Sequence, residues 1–202
     1  MSKTSVAVRR ESPIYHIDIK TKGEPKGGVS FEELAYFGHL TLRGASNDPA
    51  FVKGVKEVLG LTLPTTPLTS TSNDKDSIHW ISPNEWLILL EENEPTKREA
   101  GIEAALKAKL TGHFSVIDVS GGQTLFKLSG DNALLLMQKS CGYDVVGELP
   151  MGKTVTTHFA KASVVLHKPS EDTFILVVRR SFADYVWRWI EDASQEYGLI
   201  TL

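Results

Sequence analysis

One cysteine, Cys141, is all that the 202 residues contain, so no internal disulfide can form and no cysteine pair is available to a metal. Long apolar runs are missing as well. "WLILL" at 86–90 and "FILVV" at 174–178 are strand-sized, far short of the roughly 18 residues of a membrane span. The opening "MSKTSVAVRRESPIYHI" lacks the apolar stretch of about 7 to 15 residues that a signal peptide needs. A cytoplasmic location is the expectation. Excess charge of one sign is also absent. The 22 basic and 25 acidic residues are scattered and leave a formal charge of -3, which argues against a nucleic-acid or membrane surface. Catalytic signatures are missing in turn: no HExxH, no Walker loop, no GxSxG elbow and no GxGxxG after a strand. The six histidines, at 16, 39, 79, 113, 158 and 167, show no metal-ligand spacing. No catalytic, cofactor-binding or metal-binding residue is therefore expected in this chain.

What remains is an ordinary globular composition, 41% hydrophobic and 23% charged, long enough to bury a sizeable core. Residues 1–30 are polar and broken by Gly and Pro, with a short apolar patch at Pro13, Ile14, Tyr15 and Ile17; they read as an arm able to dock or as a frayed tail. Beyond it the chain resembles itself. "HLTLRG" at 39–44 and "TLFKLSG" at 124–130 alternate as half-buried strands do. Each leads into a helical stretch, "DPAFVKGVKEVLG" or "DNALLLMQKSCG", and then a Leu-Pro pair. Gly44 and Gly130 are 86 positions apart, as are Pro64 and Pro150. Two further strands and a closing helix follow in each copy, the helices starting at Pro95 and Ser181. The expected fold is α+β: two strand-helix-strand-strand-helix units, about 36–112 and 113–202, with mostly antiparallel sheet around a pseudo-twofold axis.

The second closing helix, "SFADYVWRWIEDASQEYG", places Trp187 and Trp189 two positions apart, so the indoles point about 200° away from each other. Phe182, Tyr185, Val186, Trp189, Ile190, Ala193 and Tyr197 form a continuous apolar stripe. That stripe predicts Trp189 in the core and leaves Trp187 off it, either an anchor for another protein or an indole tucked under a loop of its own chain. Ser181 is the expected N-cap, with Asp184 as the acid of a capping box. Arg179 and Arg180 precede the positive end of this helix and call for an anionic partner, internal or external. Asp118, ending a strand in "FSVIDVSGGQT", is either the acceptor of an Asx turn or a carboxylate able to meet a ligand amine. Cys141 reads as a buried, inert thiol.

These residues resemble the gamma subunits of heterotetrameric sarcosine oxidase. The likeness is carried by "RRESPI", "SPNEWLILL", "FSVIDVSGGQTLFKLSG", "KSCGYDV" and above all "LVVRRSFADYVWRWIEDASQEYG" at 176–198. The resemblance implies an aminomethyltransferase-like fold of two related halves. It implies partner alpha, beta and delta subunits carrying FAD, FMN, NAD, zinc and tetrahydrofolate, while gamma holds no cofactor and supports assembly. Such a complex oxidatively demethylates sarcosine to glycine, passing the carbon to tetrahydrofolate or releasing formaldehyde. Trp187, Arg179, Arg180, Pro13 and Tyr15 are then the candidate interface residues. Many relatives carry a charged or polar residue where this chain has Gly121 and Gly122, so a ligand role for that turn is not carried over. Two alternatives stand beside this one: a gamma-like subunit of N-methylglutamate dehydrogenase, and a stand-alone folate-dependent aminomethyltransferase in which Asp118 orients the amine.

Overall fold

The computed structural model of the chain describes residues 10–91 and 98–202. In chain order its strands and helices are β1 (Val29–Leu34), β2 (Gly38–Arg43), α1 (Pro49–Leu59), β3 (Ser70–Ser72), β4 (Asp76–Ser82), β5 (Glu85–Leu90) and α2 (Arg98–Lys109), then β6 (Ser115–Asp118), β7 (Gln123–Ser129), α3 (Ala133–Ser140), β8 (Thr154–Phe159), β9 (Ala162–Ser170), β10 (Thr173–Arg179), α4 (Ala183–Ala193) and β11 (Leu199–Thr201). Residues 1–9 of the arm and the Pro95 start of the first closing helix lie outside the described residues. Among the described residues no helix is long and apolar enough to cross a membrane.

The strands make two sheets, ordered β11-β1-β7-β10-β9-β8 and β3-β4-β5-β2-β6. Every pairing is antiparallel except that of β11 with β1. The expected α+β class and antiparallel sheets are what the chain forms. The two orders correspond strand for strand once β11 is set aside, and the correspondence contains an exchange. β1, just ahead of the first unit as read from sequence, pairs with β7 of the second; β6 leads the second unit yet pairs with β2 of the first.

Alternation along β5 and β10 explains the layering. Trp86, Ile88 and Leu90 face α1 and α2 in one core, while Phe174, Leu176 and Val178 face α3 and α4 in another. The intervening Leu87, Leu89 and Val177 meet between the sheets with Leu125. Both faces of these strands are buried, which is why "WLILL" and "FILVV" read as continuous apolar runs rather than alternating ones. α1 is capped as its sequence dictates: the Asp48 carboxylate accepts from the Ala50 N–H at 2.8 Å, Pro49 opens the helix, and Gly60 closes it at φ 70°.

α4 corrects the phase read from sequence. Its buried residues are Ala183, Val186, Trp187, Ile190 and Ala193. Trp187 is 1% exposed and stacks at a tilt on Phe31 of β1, centroids 4.7 Å apart, whereas Trp189 is 37% exposed. Val186 and Ile190 belong to both possible stripes. Small Ala183 on one flank lets the helix roll Trp187 toward the sheet, and the aromatic flank of Tyr185 and Trp189 is left at the rim. Trp187 is thus sealed inside its own chain and is not an available anchor. Trp189 instead donates from Nε1 to Ser140 Oγ at the end of α3, 3.0 Å away. Ser181 is not the N-cap either. It lies in a 3-10 turn, Phe182 holds the cap position without a side-chain bond, and Asp184 pairs with His16 and Arg188.

The arm docks through that last contact. Ile14 is fully buried in the α3–α4 core, and farther along the Glu24 N–H donates to the Leu199 carbonyl before the chain enters β1.

Candidate functional site

The docked arm, the turn between β1 and β2 and the 3-10 turn before β7 enclose a cavity of about 460 Å³, whose polar lining includes Arg10, Tyr36, His39, Glu99, Asp118 and Arg180. Each side chain arrives there for a local reason. Tyr36 sits at φ 69°, a left-handed conformation that costs a non-glycine residue energy. The cost is met by a clasp with the arm: Arg10 lies over the Tyr36 ring at 4.9 Å and donates to its carbonyl at 3.2 Å. His39 is 1% exposed at the start of β2 and shares a hydrogen bond with Gln123 Oε1 at 2.8 Å through Nδ1. Burial pushes its imidazole below the usual range, against the pull of Gln123 and Asp118.

Asp118 resolves in favour of the turn. Its Oδ1 accepts from the Ser120 N–H at 2.9 Å and the Ser120 hydroxyl at 2.5 Å, while Ser120 Oγ accepts from the His39 N–H at 2.9 Å. The carboxylate is therefore an Asx-turn acceptor that ties the 3-10 turn to β2. Gly121 and Gly122 are exposed with open space around them.

Arg180 donates to the Glu11 carbonyl at 3.2 Å and lowers the Glu33 carboxyl electrostatically. Glu33 accepts from the hydroxyls of Ser12 (2.7 Å) and Thr124 (3.0 Å). Its burial nonetheless pushes the carboxyl above the usual carboxylate range. The anionic surroundings that the two arginines called for are thus internal in the case of Arg180. Arg179 is exposed and lines a smaller cleft with Thr41, Glu85 and Gln123.

Glu99 is a feature that sequence reasoning missed. Near the start of α2, it is 8% exposed and its Oε2 has no hydrogen-bond partner among the described residues. It reaches the cavity because glycine at 38 leaves room for the Glu99 Cβ, which a Cβ at Gly38 would approach to 2.9 Å. Nothing in the helical pattern of "REAGIEAALKAK" marks Glu99 as inward, since the polar faces of that helix are wide. The lining can accept a hydrogen bond or a positive charge at Glu99, and it presents guanidinium donors at Arg10 and Arg180. Among the described residues no three His, Cys, Asp or Glu side chains gather as a metal site needs.

The sequence-predicted residues divide accordingly. Pro13, Arg180 and Asp118 meet around the cavity; Tyr15 is 56% exposed on the arm; Trp187 is elsewhere, in the core. Cys141 is buried beside Thr157, Sγ to Oγ1 3.8 Å.

Comparison with known proteins finds relatives along nearly the whole chain. The chain is 27% identical over 198 residues to sarcosine oxidase subunit gamma of Corynebacterium sp. (strain P-1), covering 96% of this chain and 94% of that one. It is 25% identical to the gamma subunit of an Arthrobacter species, with the same coverage. Among solved structures, a chain of the heterotetrameric sarcosine oxidase from Corynebacterium sp. U-96 superposes with a TM-score of 0.82 at 25% identity, covering 93% of this chain and 95% of that one. Aminomethyltransferase T from Bartonella henselae shares the fold, with a TM-score of 0.63 at 12% identity over 94% of this chain and 51% of that one. The profile of the sarcosine oxidase, gamma subunit family matches residues 43–196, and the chain belongs to that family.

Proposed function

We propose that this chain is the gamma subunit of a heterotetrameric sarcosine oxidase and acts there as a structural subunit without a catalytic centre of its own. The observation that carries the reading is the end-to-end superposition on a chain of such an assembly, at a TM-score of 0.82. Support also comes from the site. The carboxylate best placed for chemistry, Asp118, is engaged in holding its own turn, and Glu33 is held by Ser12 and Thr124. On this reading the alpha, beta and delta partners hold FAD, FMN, NAD, zinc and tetrahydrofolate and carry out oxidative demethylation of sarcosine to glycine. The arm and α4 give gamma its contacts, through exposed Tyr15, Phe182 and Trp189, with Pro13, Arg179 and Arg180 nearby.

Co-expression with the alpha, beta and delta partners tests the proposal. The expected result is a co-purifying complex with sarcosine-dependent oxygen uptake, while the isolated chain neither turns over sarcosine nor binds tetrahydrofolate in a calorimetric titration. Saturable folate binding by the lone chain, or a complex that forms without it, would overturn the structural role.

A further inference from the structure

The correspondence between the two sheets breaks at one edge. On the first sheet the outer edge of β1 is covered by β11 in parallel, with Val29 opposite Leu199 and Phe31 opposite Thr201. Main-chain bonds complete the cover, Val29 N–H to the Gly198 carbonyl at 3.2 Å and Leu202 N–H to the Phe31 carbonyl at 3.0 Å. On the second sheet the strand in the same position is β6, and the sheet order ends there. Among the described residues nothing pairs with its outer side.

Which groups are left open follows from antiparallel geometry. Val119 N–H donates to the His39 carbonyl at 2.8 Å, and the ladder continues with Ile117 opposite Thr41 and Ser115 opposite Arg43. Bonded pairs alternate along such a ladder, so the main-chain groups of Val116 and Asp118 point away from β2. Val116 matches Phe31 in β1: each buries its side chain against helices and turns its peptide groups outward. Phe31 has a partner there, whereas Val116 has none among the described residues. Beside this edge lies an open groove of about 860 Å³ along the sheet face, lined by Thr41, Arg43, Glu85, His113, Ser115 and Ile117. Ile117 is 53% exposed, an unusual side chain to leave on an unprotected edge.

We infer that the outer edge of β6 receives an extended segment of a partner subunit, added as a parallel strand in the way β11 is added to β1, with an apolar side chain against Ile117. The inference rests on the subunit role proposed above and names the surface through which part of that role is exercised. Strand addition of this kind takes its affinity from main-chain bonds and its choice of partner from the alternating side chains.

Amide hydrogen exchange on the wild-type chain, alone and in the co-purified complex, tests it. Val116 and Asp118 should exchange rapidly in the free chain and at least about tenfold more slowly in the complex, while Ile117, already bonded to β2, changes little. Ile117→Lys should keep the thermal midpoint of the free chain and weaken assembly by at least about tenfold, as a charge at a contact centre does, and Ile117→Val should assemble normally. A wild-type chain that joins no complex removes the subunit reading and this one together. A chain that joins while Val116 and Asp118 exchange as before overturns the edge proposal alone. Protection in the isolated chain would also overturn it, assigning the edge to a second copy if protection rises with concentration, or to this chain's own terminus if removing residues 1–9 abolishes it.

Discussion

At the scale of the residue, the two indoles of α4 have exchanged the roles that their spacing suggests, and the exchange has measurable consequences. Trp187→Ala empties a fully enclosed site against Phe31 and should cost about 3–5 kcal/mol in chemical denaturation. Trp189→Ala removes a partly exposed ring and one bond to Ser140, and about 1–2 kcal/mol is expected. Equal effects would contradict the burial described for this helix. Glu99 makes the opposite kind of prediction. Its Oε2, unpartnered among the described residues, is a desolvated acceptor, so Glu99→Met, of similar shape, should raise stability by about 1–3 kcal/mol in the same assay. A destabilised variant would mean that the carboxylate holds something together.

Elements differ in how plainly the sequence announces them. α1 was legible to within a residue because Asp48, Pro49 and Gly60 each state a local rule. The periodic glycines were legible for the same reason: Gly44 leaves room for the Phe51 ring, and Gly130 sits at φ 107° with the Gly28 carbonyl 2.7 Å from where a Cβ would be. Gly130→Ala should therefore cost about 1–3 kcal/mol, whereas Gly121→Ala, with open space around it, should fall within about 0.5 kcal/mol of wild type; denaturant midpoints of the two variants compare them directly. What the sequence hid was long-range. β1 begins where the polar arm ends, and nothing near it says that Phe31 will lie opposite Leu128 and Val29 opposite Leu199, far along the chain. The phase of α4 was hidden because its apolar residues span more than half its circumference, so only the sheet beneath decides which side turns in. The cavity was partly visible, through Asp118 and Arg180. His39 and Glu99 each look like one more polar residue until the fold brings them together.

At the scale of the whole molecule, the seam between the sheets holds a histidine pair. His79 on β4 and His167 on β9 meet edge to face at 4.7 Å, and His79 shares hydrogen bonds with Thr154 (2.8 Å) and Ser77 (2.7 Å). Burial drives His79 well below the usual imidazole range, with His167 adding to the effect, and burial lowers His167 as well. An unfolded chain takes up protons at these positions before the folded one does. Stability should accordingly be level above about pH 6.5, the ordinary imidazole value, and fall as the pH drops from there toward the lowered folded values. Urea midpoints at several pH values read this out. His79→Asn should flatten the slope, and an unchanged slope would place its origin elsewhere. Glu33, raised by burial, works in the other sense at lower pH: its contribution is fully present below the ordinary carboxylate value and is lost as the pH rises through the raised one.

The crossing of β1 and β6 between the sheets has a further consequence for synthesis and descent. Neither unit can complete its sheet from its own residues: β1 has no neighbour until β7 has been made, and β2 has a free side until β6 arrives. A ribosome that has released only the first unit has released an unfinished object, and closure of long loops should make folding slow for a chain of this size. The same geometry is that of a domain-swapped homodimer in which two identical protomers each lend a leading strand to the other. Joining them in one polypeptide would freeze the swap and let the halves diverge. Cutting the chain between residues 112 and 113 should undo the join, giving two fragments that are each unfolded alone and that restore the native circular dichroism spectrum when mixed.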